Sequence, residues 1–505
     1  LAIASVMSIF LCAVLAHSQT ITGSISGRVL DAQMAAIGGA TVIITEPSRN
    51  FSATTKTVED GNFLSAGLLP GNYSIAVEMP GFKKLTRIEI PLNANDKLNV
   101  GNLQLEVGGV TETIEVSAQA TLVQTESVER AAIITGKQIE NIEVNGRNPL
   151  DLAKLAPGVM STANFSLGGI NGLNNINVNG NRGSQNQVTI NGIGAVDSGN
   201  NGQQSVVLSI DAISEFKMLT GTYQAEYGRS MGGQISMVTK SGTEEFHGSG
   251  YWYHRHDSLN ANTFLNNLRG LPKPLFRYND PGYSIGGPIY IPGVFESARR
   301  KAFFFWSQEF QRQLSPQNPR NALVPTALER QGDFSQSLDN TGQPFCPTRN
   351  AAGLYDCSLG TRVVIRDPLN GQPFSGNVIP KERIYGPGQA LLNFYPLPNA
   401  NQVSNFNYTS QLPGKAPRRE DLLRLDYNVT DRLHLFGHWI EDKQPNVSPY
   451  GSFVLGIAIP VATIANPTPG RGVGGGATMT LSPTLTNEVN IGFAHNALDI
   501  LGSTK

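Results

Sequence analysis

Charge is scarce in this sequence. Only 15% of the 505 residues are charged, against about 25% in ordinary soluble proteins. The 38 basic and 39 acidic side chains leave a net charge of −1. That excludes the basic surplus a phosphate-binding surface needs, so no nucleic-acid partner is expected. Hydrophobic residues, at 40%, are also below the usual share. Cysteine occurs three times, and no hydrophobic run beyond the first 18 residues is long enough for a membrane helix. In place of these come 54 Gly, 30 Pro and many Asn, Ser and Thr. Gly and Pro cost about 1 and 3 kcal/mol inside a helix, so strands, turns and long loops are predicted. The length predicts three or more units.

Residues 1–18 read as a secretory signal peptide. The segment is almost wholly apolar to Leu15, and Ala16-His17-Ser18 gives small residues at the cleavage positions before Gln19. The chain starts with Leu and has no basic n-region, so its true beginning is expected to be missing. Cys12 is lost with the signal. Cys346 and Cys357 remain, in a Pro/Gly-rich stretch of an exported chain, where pairing is more usual than metal ligation. An exported chain without a helical anchor is secreted, periplasmic, or a closed β-barrel in an outer membrane.

Residues 19–107 alternate and break at Asp60-Gly61-Asn62 and Pro70-Gly71-Asn72, which predicts a β-sandwich of about seven strands. Ile25-Ser26-Gly27-Arg28-Val29, Gly39-Ala40-Thr41-Val42, Asp60-Gly61-Asn62-Phe63 and Leu69-Pro70-Gly71-Asn72-Tyr73 resemble the carboxypeptidase regulatory-like domain. No His/Glu ligand pair accompanies them, so a spacer or a weak sugar- or protein-binding module is expected, not a zinc peptidase.

Residues 108–120 form a linker containing Glu112-Thr113-Ile114-Glu115-Val116. This pentad alternates, and no partner strand is predicted nearby. An unpaired strand invites another chain to add to it through backbone hydrogen bonds. In type and position it resembles the TonB box of outer-membrane transporters. The alternative is the last strand of the sandwich, or plain linker.

Residues 121–242 are dense in Asn and Gly, with helical turns predicted at 138–144 and 149–155 and strands at 187–190 and 214–219. No glycine run has the Walker or dinucleotide spacing. The expectation is a polar, mixed α+β unit with little apolar core of its own, held by a surrounding wall. Its motifs in order are Gly146-Arg147-Asn148-Pro149, Asn179-Gly180-Asn181-Arg182, Asn191-Gly192, Ile210-Asp211-Ala212-Ile213-Ser214-Glu215-Phe216, Ala225-Glu226-Tyr227-Gly228 and Gly232-Gly233 before Thr239-Lys240-Ser241-Gly242. They resemble the plug domain of TonB-dependent receptors, and the Oar-like subgroup that also carries a carboxypeptidase regulatory-like domain.

Residues 243–505 alternate at 422–429, 477–482 and 486–495. A barrel wall gives this pattern, and so does a soluble sandwich. Tight turns near Thr430-Asp431 and Pro483-Thr484 contrast with long connections at 313–419 and 443–470. That contrast matches an outer-membrane barrel. Tyr251-Trp252-Tyr253, Phe303-Phe304-Phe305-Trp306 and Trp439 suit interfacial girdles. About seven strands are predicted, fewer than any plugged barrel, so the barrel is expected to be incomplete. Motifs in 313–419, among them Arg330-Gln331-Gly332-Asp333-Phe334-Ser335, again resemble the Oar-like group.

His254/His256 and His434/His438 share strand faces, but neither has a metal-binding or catalytic neighbourhood, and no Gly-x-Ser-x-Gly is present. No catalytic residue, metal site or cofactor is predicted. The resemblance implies a mainly β receptor of the bacterial outer membrane: sandwich, plug and an incomplete antiparallel transmembrane β-barrel. It also implies import of an oligosaccharide, peptide or metal chelate. The implied partners are outer-membrane lipid and the periplasmic domain of TonB with its inner-membrane motor proteins. The alternative is a surface-binding or adhesion protein in which sandwich and loops bind carbohydrate or protein without transport.

Overall fold

The computed structural model describes residues 21–108, 113–117, 127–144, 146–161, 172–197, 199, 201–224, 227–228, 230–268, 270, 272–290, 301–315, 319–402, 405–451, 459–460, 463–482 and 485–502. The predicted signal peptide, Glu112 of the candidate TonB box, and Glu226 lie outside the described residues.

Eight strands make the first unit: β1 (Gly23–Leu30), β2 (Thr41–Glu46), β3 (Phe51–Lys56), β4 (Asn62–Leu68), β5 (Gly71–Glu78), β6 (Lys84–Leu92), β7 (Lys97–Gln104) and β8 (Thr113–Ser117). They form two sheets, β4-β1-β7 and β3-β2-β5-β6-β8. Alternation buries Ile25, Val29, Val42, Ile44, Tyr73, Ile75 and Val77 between the sheets. The Tyr73 hydroxyl donates to the Leu69 carbonyl at 2.6 Å, so its polar tip is satisfied inside the core.

β8 corrects the expectation that the 112–116 segment has no partner strand, for its described residues 113–116. It runs parallel to β6, from Lys84↔Thr113 to Ile88↔Ser117. The partner lies far back in the chain and is reached through a crossover over the other sheet, so nothing local in the sequence signals it.

The second unit holds β9 (Arg130–Thr135), α1 (Gly136–Asn141), β10 (Val159–Ser161), β11 (Ile176–Val178), β12 (Gln187–Ile190), β13 (Ile193–Gly194), β14 (Ile213–Gly221) and β15 (Gln234–Thr239). Its main sheet is β13-β12-β15-β14-β9. Thr135 and Gln138 form a capping box that starts α1. Asn148 accepts from the Leu150 N–H at 3.1 Å, and Pro149 opens the 3-10 turn Pro149–Leu155.

The expectation of little apolar core here is wrong. Ile134, Leu152, Val188, Ile190, Leu208, Phe216, Met218, Ile235 and Met237 belong to one large buried cluster, to which the third unit adds only Phe305, Leu422 and Ile440. β12 and β15 are buried at every position. A strand covered on both faces loses the alternation by which a core is recognised in sequence. The Asn and Gly content around it hid the rest.

The third unit is built on β16 (His247–His256), α2 (Phe264–Leu268), β17 (Arg277–Pro288), β18 (Ala302–Ser315), β19 (Arg320–Ala322), α3 (Gly386–Leu392), β20 (Tyr408–Ser410), β21 (Gly414–Lys415), β22 (Arg418–Thr430), β23 (Leu433–Lys443), β24 (Pro445–Ser448), β25 (Ile464–Pro467), β26 (Gly470–Ser482), β27 (Leu485–Asn496) and β28 (Leu501–Gly502). Seven long strands pair antiparallel in the order β16-β17-β18-β22-β23-β26-β27. The short β21, β24, β25 and β28 extend the sheet beside β18, so the described sheet has eleven strands where about seven were predicted. Strands of two to four residues are too short to leave a readable alternation.

Burial decides what alternation left open. On β22, Arg424 and Asp426 are each 2% exposed, while Leu425 and Tyr427 are 44% and 43% exposed. On β27, Val489, Ile491 and Phe493 are exposed as well. The wall is polar inside and apolar outside, the reverse of a soluble sandwich. The girdle expectation needs correction for the same reason: Phe303 and Phe305 point inward and are buried. Trp306 and Trp439 stack with ring centroids 6.5 Å apart, and Trp252 is exposed.

The β22–β23 turn is tight, β26 and β27 pair as far as Ser482↔Leu485, and the sandwich packs beside this end of the wall. Arg49 O accepts from Asn428 Nδ2 at 3.1 Å, Ser48 O accepts from Glu244 N at 2.9 Å, and Thr22 donates to Glu488. The long 313–419 insertion lies on the connection from β18 to β22, away from that end. It is folded, with Arg383 bidentate on Asp367 at 2.8 and 2.7 Å. Cys346 and Cys357 are bonded, Cα–Cα 4.8 Å.

Candidate functional site

The chemistry-bearing residues gather on the seam between the second unit and the inner face of the wall. Three arginines organise it. Arg147, in left-handed conformation after Gly146, is brought among acids of both units. It pairs with Asp211 and has Asp280 at 3.2 Å and Glu309 at 3.7 Å. Its guanidinium also lies 4.6 and 4.3 Å from the Tyr251 and Tyr253 ring centroids. Burial alone would lower the Arg147 pKa, but Glu309 and its neighbours outweigh it and raise it. Glu309 accepts from Ser209 at 2.7 Å and from Tyr251 at 2.8 Å. A cavity of about 350 Å³ opens beside Arg147, bordered by Ile139, Glu140, Asp211, Tyr253 and His254.

Arg418, on the wall, donates to Asp442 at 2.8 Å and to the Val207 carbonyl at 2.6 Å. Asp442 in turn accepts from Val207 N at 3.2 Å. Arg424 forks onto Asp426 with two 2.9 Å bonds and reaches Thr239 O at 2.9 Å. Thr239 is held by Asn191, whose Oδ1 accepts its N–H at 3.0 Å and whose Nδ2 donates to its hydroxyl at 2.9 Å. Asn191 adopts φ 49°, a left-handed position asparagine tolerates, and Gly192 continues the turn. The Asn191-Gly192 motif is therefore a connector between turn, closing strand and wall.

The remaining predicted residues serve the unit's interior. Asn179 donates to Thr220 O, and Gly180 follows at φ 79°. Asn186 Oδ1 accepts from Gly233 N at 2.8 Å. A Cβ at Gly232 would stand 2.6 Å from Asn186 Oδ1 and 2.8 Å from Gln185 O, so only glycine fits there. Arg182 and Gly228 are exposed. Tyr227 is buried and its hydroxyl accepts from Asn95 of the sandwich at 2.8 Å.

That last contact belongs to a second interface, which sequence reasoning missed. The loop between β6 and β7 presses against β14. Lys217 Nζ donates to Ala94 O at 2.6 Å and pairs with Asp96 at 3.2 Å, both side chains almost fully buried. Glu215 accepts from Ala94 N at 3.0 Å. Burial pushes the Glu215 carboxyl up to about 7, against the lowering by Ala94 N–H and Lys217. One signal was available: Glu215/Lys217, Arg418/Glu420 and Arg424/Asp426 are charges two apart on strands, hence on one face. Among the described residues no group of three or more His, Cys, Asp or Glu is placed to hold a metal ion.

Comparison with known families fits this arrangement. A model described as outer membrane beta barrel domain matches residues 238–504. The TonB-dependent receptor plug domain matches 123–234, and the carboxypeptidase regulatory-like domain matches 24–106. The chain belongs to the TonB-dependent receptor family of the bacterial outer membrane. It is 29% identical over 291 residues to the TonB-dependent transporter Oar of Myxococcus xanthus, covering 53% of this chain and 25% of that protein. Among solved structures, the outer membrane transporter YddB from Escherichia coli has TM-score 0.43 at 12% identity, over 73% of this chain and 39% of that one. The siderophore receptor PirA from Pseudomonas aeruginosa has TM-score 0.39 at 12% identity, over 74% and 41%. The chain thus spans a quarter of its curated relative and about two fifths of these solved transporters.

Proposed function

We propose that the protein imports an extracellular substrate (an oligosaccharide, a peptide or a metal chelate) by shifting its plug with work supplied through TonB. An outer membrane holds no ATP, so that work comes from the inner-membrane proton-motive force through TonB's motor proteins. In this reading 19–107 is the sandwich, 108–120 the linker, 121–242 the plug and 243–505 barrel, and no catalytic step is involved. TonB takes residues 112–116 as an added strand through backbone hydrogen bonds.

The observation that carries the reading is the polar seam of Arg147, Arg418 and Arg424 between plug and wall. Water can replace ion pairs and hydrogen bonds as they open, so such a seam can part into a hydrated path. The surface-binding alternative needs the sandwich among the long loops. Its contacts lie instead at the tight-turn end, which faces the periplasm in outer-membrane barrels.

The test is deletion of 112–116 in the full chain. Outer membranes carrying the intact protein should sediment the purified periplasmic domain of TonB, and membranes carrying the deletion should not. Equal sedimentation by both would reject the role of this segment.

A further inference from the structure

We propose that strand β6 of the sandwich is a holding site for the chain's own β8, and that β8 must leave it before any pull can reach the plug. This rests on the reading of 112–116 as the TonB-binding segment. β8 forms the fifth strand of its sheet, with five residue pairs against β6. Without β8 that edge would present unpaired backbone groups, which are a template for another strand. The pairing is parallel, the weaker of the two ladder types, and only five residues long, so it is suited to being released.

The connectivity gives release a consequence. β8 leads within a dozen residues to β9, the outer strand of the plug sheet, which pairs with β14. β14 is in turn fixed to the sandwich through Lys217–Asp96, Glu215–Ala94 and the nearby Tyr227–Asn95 bond. While β8 stays on β6, the path from sandwich to β14, β9 and back to β8 is a closed loop. Tension on β8 is then borne by the sandwich. Once β8 detaches, the same tension falls on β9 and peels the plug sheet from its edge. TonB takes β8 away from β6 instead of adding to the outer edge of β8, which has no strand partner among the described residues.

The test is a cysteine pair in register, Thr86→Cys with Glu115→Cys, in the full chain in isolated outer membranes. Neighbouring strands lie about 4.8 Å apart, within disulfide reach. Oxidation should cross-link this pair. The control, Lys84→Cys with Ser117→Cys, is four residues out of register, roughly 13 Å along the strand, and should not cross-link. Excess periplasmic domain of TonB should suppress the in-register cross-link, and the disulfide, once formed, should abolish sedimentation of TonB until it is reduced. No cross-link at 86/115, equal yields from both pairs, or a yield unchanged with TonB bound would each overturn the proposal. The cross-link without TonB tests the holding site alone. Failure of TonB to sediment with membranes carrying only Thr86→Cys would instead sink the reading on which the proposal rests.

Discussion

The sandwich and the barrel wall are written in the same two-residue alphabet and folded with opposite polarity. In the sandwich, Val42 and Ile44 turn inward against other apolar side chains. In the wall, Arg424 and Asp426 turn inward and Leu425 and Tyr427 turn out. Alternation therefore specifies a two-faced strand and leaves open which face is covered. The covering is set by what lies on each side: another apolar sheet for β2, and for β22 the plug with its buried ion pairs on one side and lipid on the other.

Substitutions can break this contrast, and the largest effect is expected at the seam. Arg418→Ala leaves Asp442 buried without its partner. Such a loss costs about 3–5 kcal/mol and should appear as earlier release of the plug to protease, with the wall's heat-modifiable migration retained. In the sandwich, Ile44→Ala removes buried methyl groups and should cost about 2–5 kcal/mol, read as a lower denaturant midpoint for the sandwich with the wall unchanged. On the wall's outer face, Ile491→Arg should cost about 2–4 kcal/mol if the position lies at mid-bilayer, read as impaired assembly into membranes. Assembly as efficient as that of the parent would mean that this face does not meet lipid.

The smallest effect is a pH dependence at the sandwich–plug interface. The Glu215 carboxyl is raised from 4.5 to about 7 in the folded state. The native protein then holds this proton more tightly than the unfolded chain does. Its contribution to stability is full below pH 4.5, declines as pH rises toward 7, and is flat above. Sandwich docking should be firmer at pH 5 than at pH 8, measured by protease cleavage between the units. Glu215→Gln keeps an acceptor for the Ala94 N–H and should remove the slope. A slope surviving in the variant would assign it to another group.

Much of the architecture was legible in the residues. Short runs with Asp-Gly-Asn and Pro-Gly-Asn turns located the sandwich strands, and the ordered plug motifs located Asn191-Gly192 and Gly232-Gly233, whose roles in turn, strand and wall are now visible. Other features were not legible, for reasons that differ by residue. The plug core escaped because β12 and β15 are buried on both faces and carry no period. The strand partner of Ile114 and Val116 escaped because parallel pairing joins segments far apart in sequence. Lys217 and Asp96 escaped because they lie in different units and each alone is an ordinary surface charge.

By itself the sequence determined the local events: where strands alternate, where Asn and Gly permit left-handed turns, and where Pro opens a helical turn, all set by backbone sterics within a few residues. The tertiary structure alone decided which face of each wall strand is inside, which acids surround Arg147, and which edge holds β8. These depend on burial and on charges brought together across hundreds of residues, and a side chain's energy there is fixed by its neighbours in space.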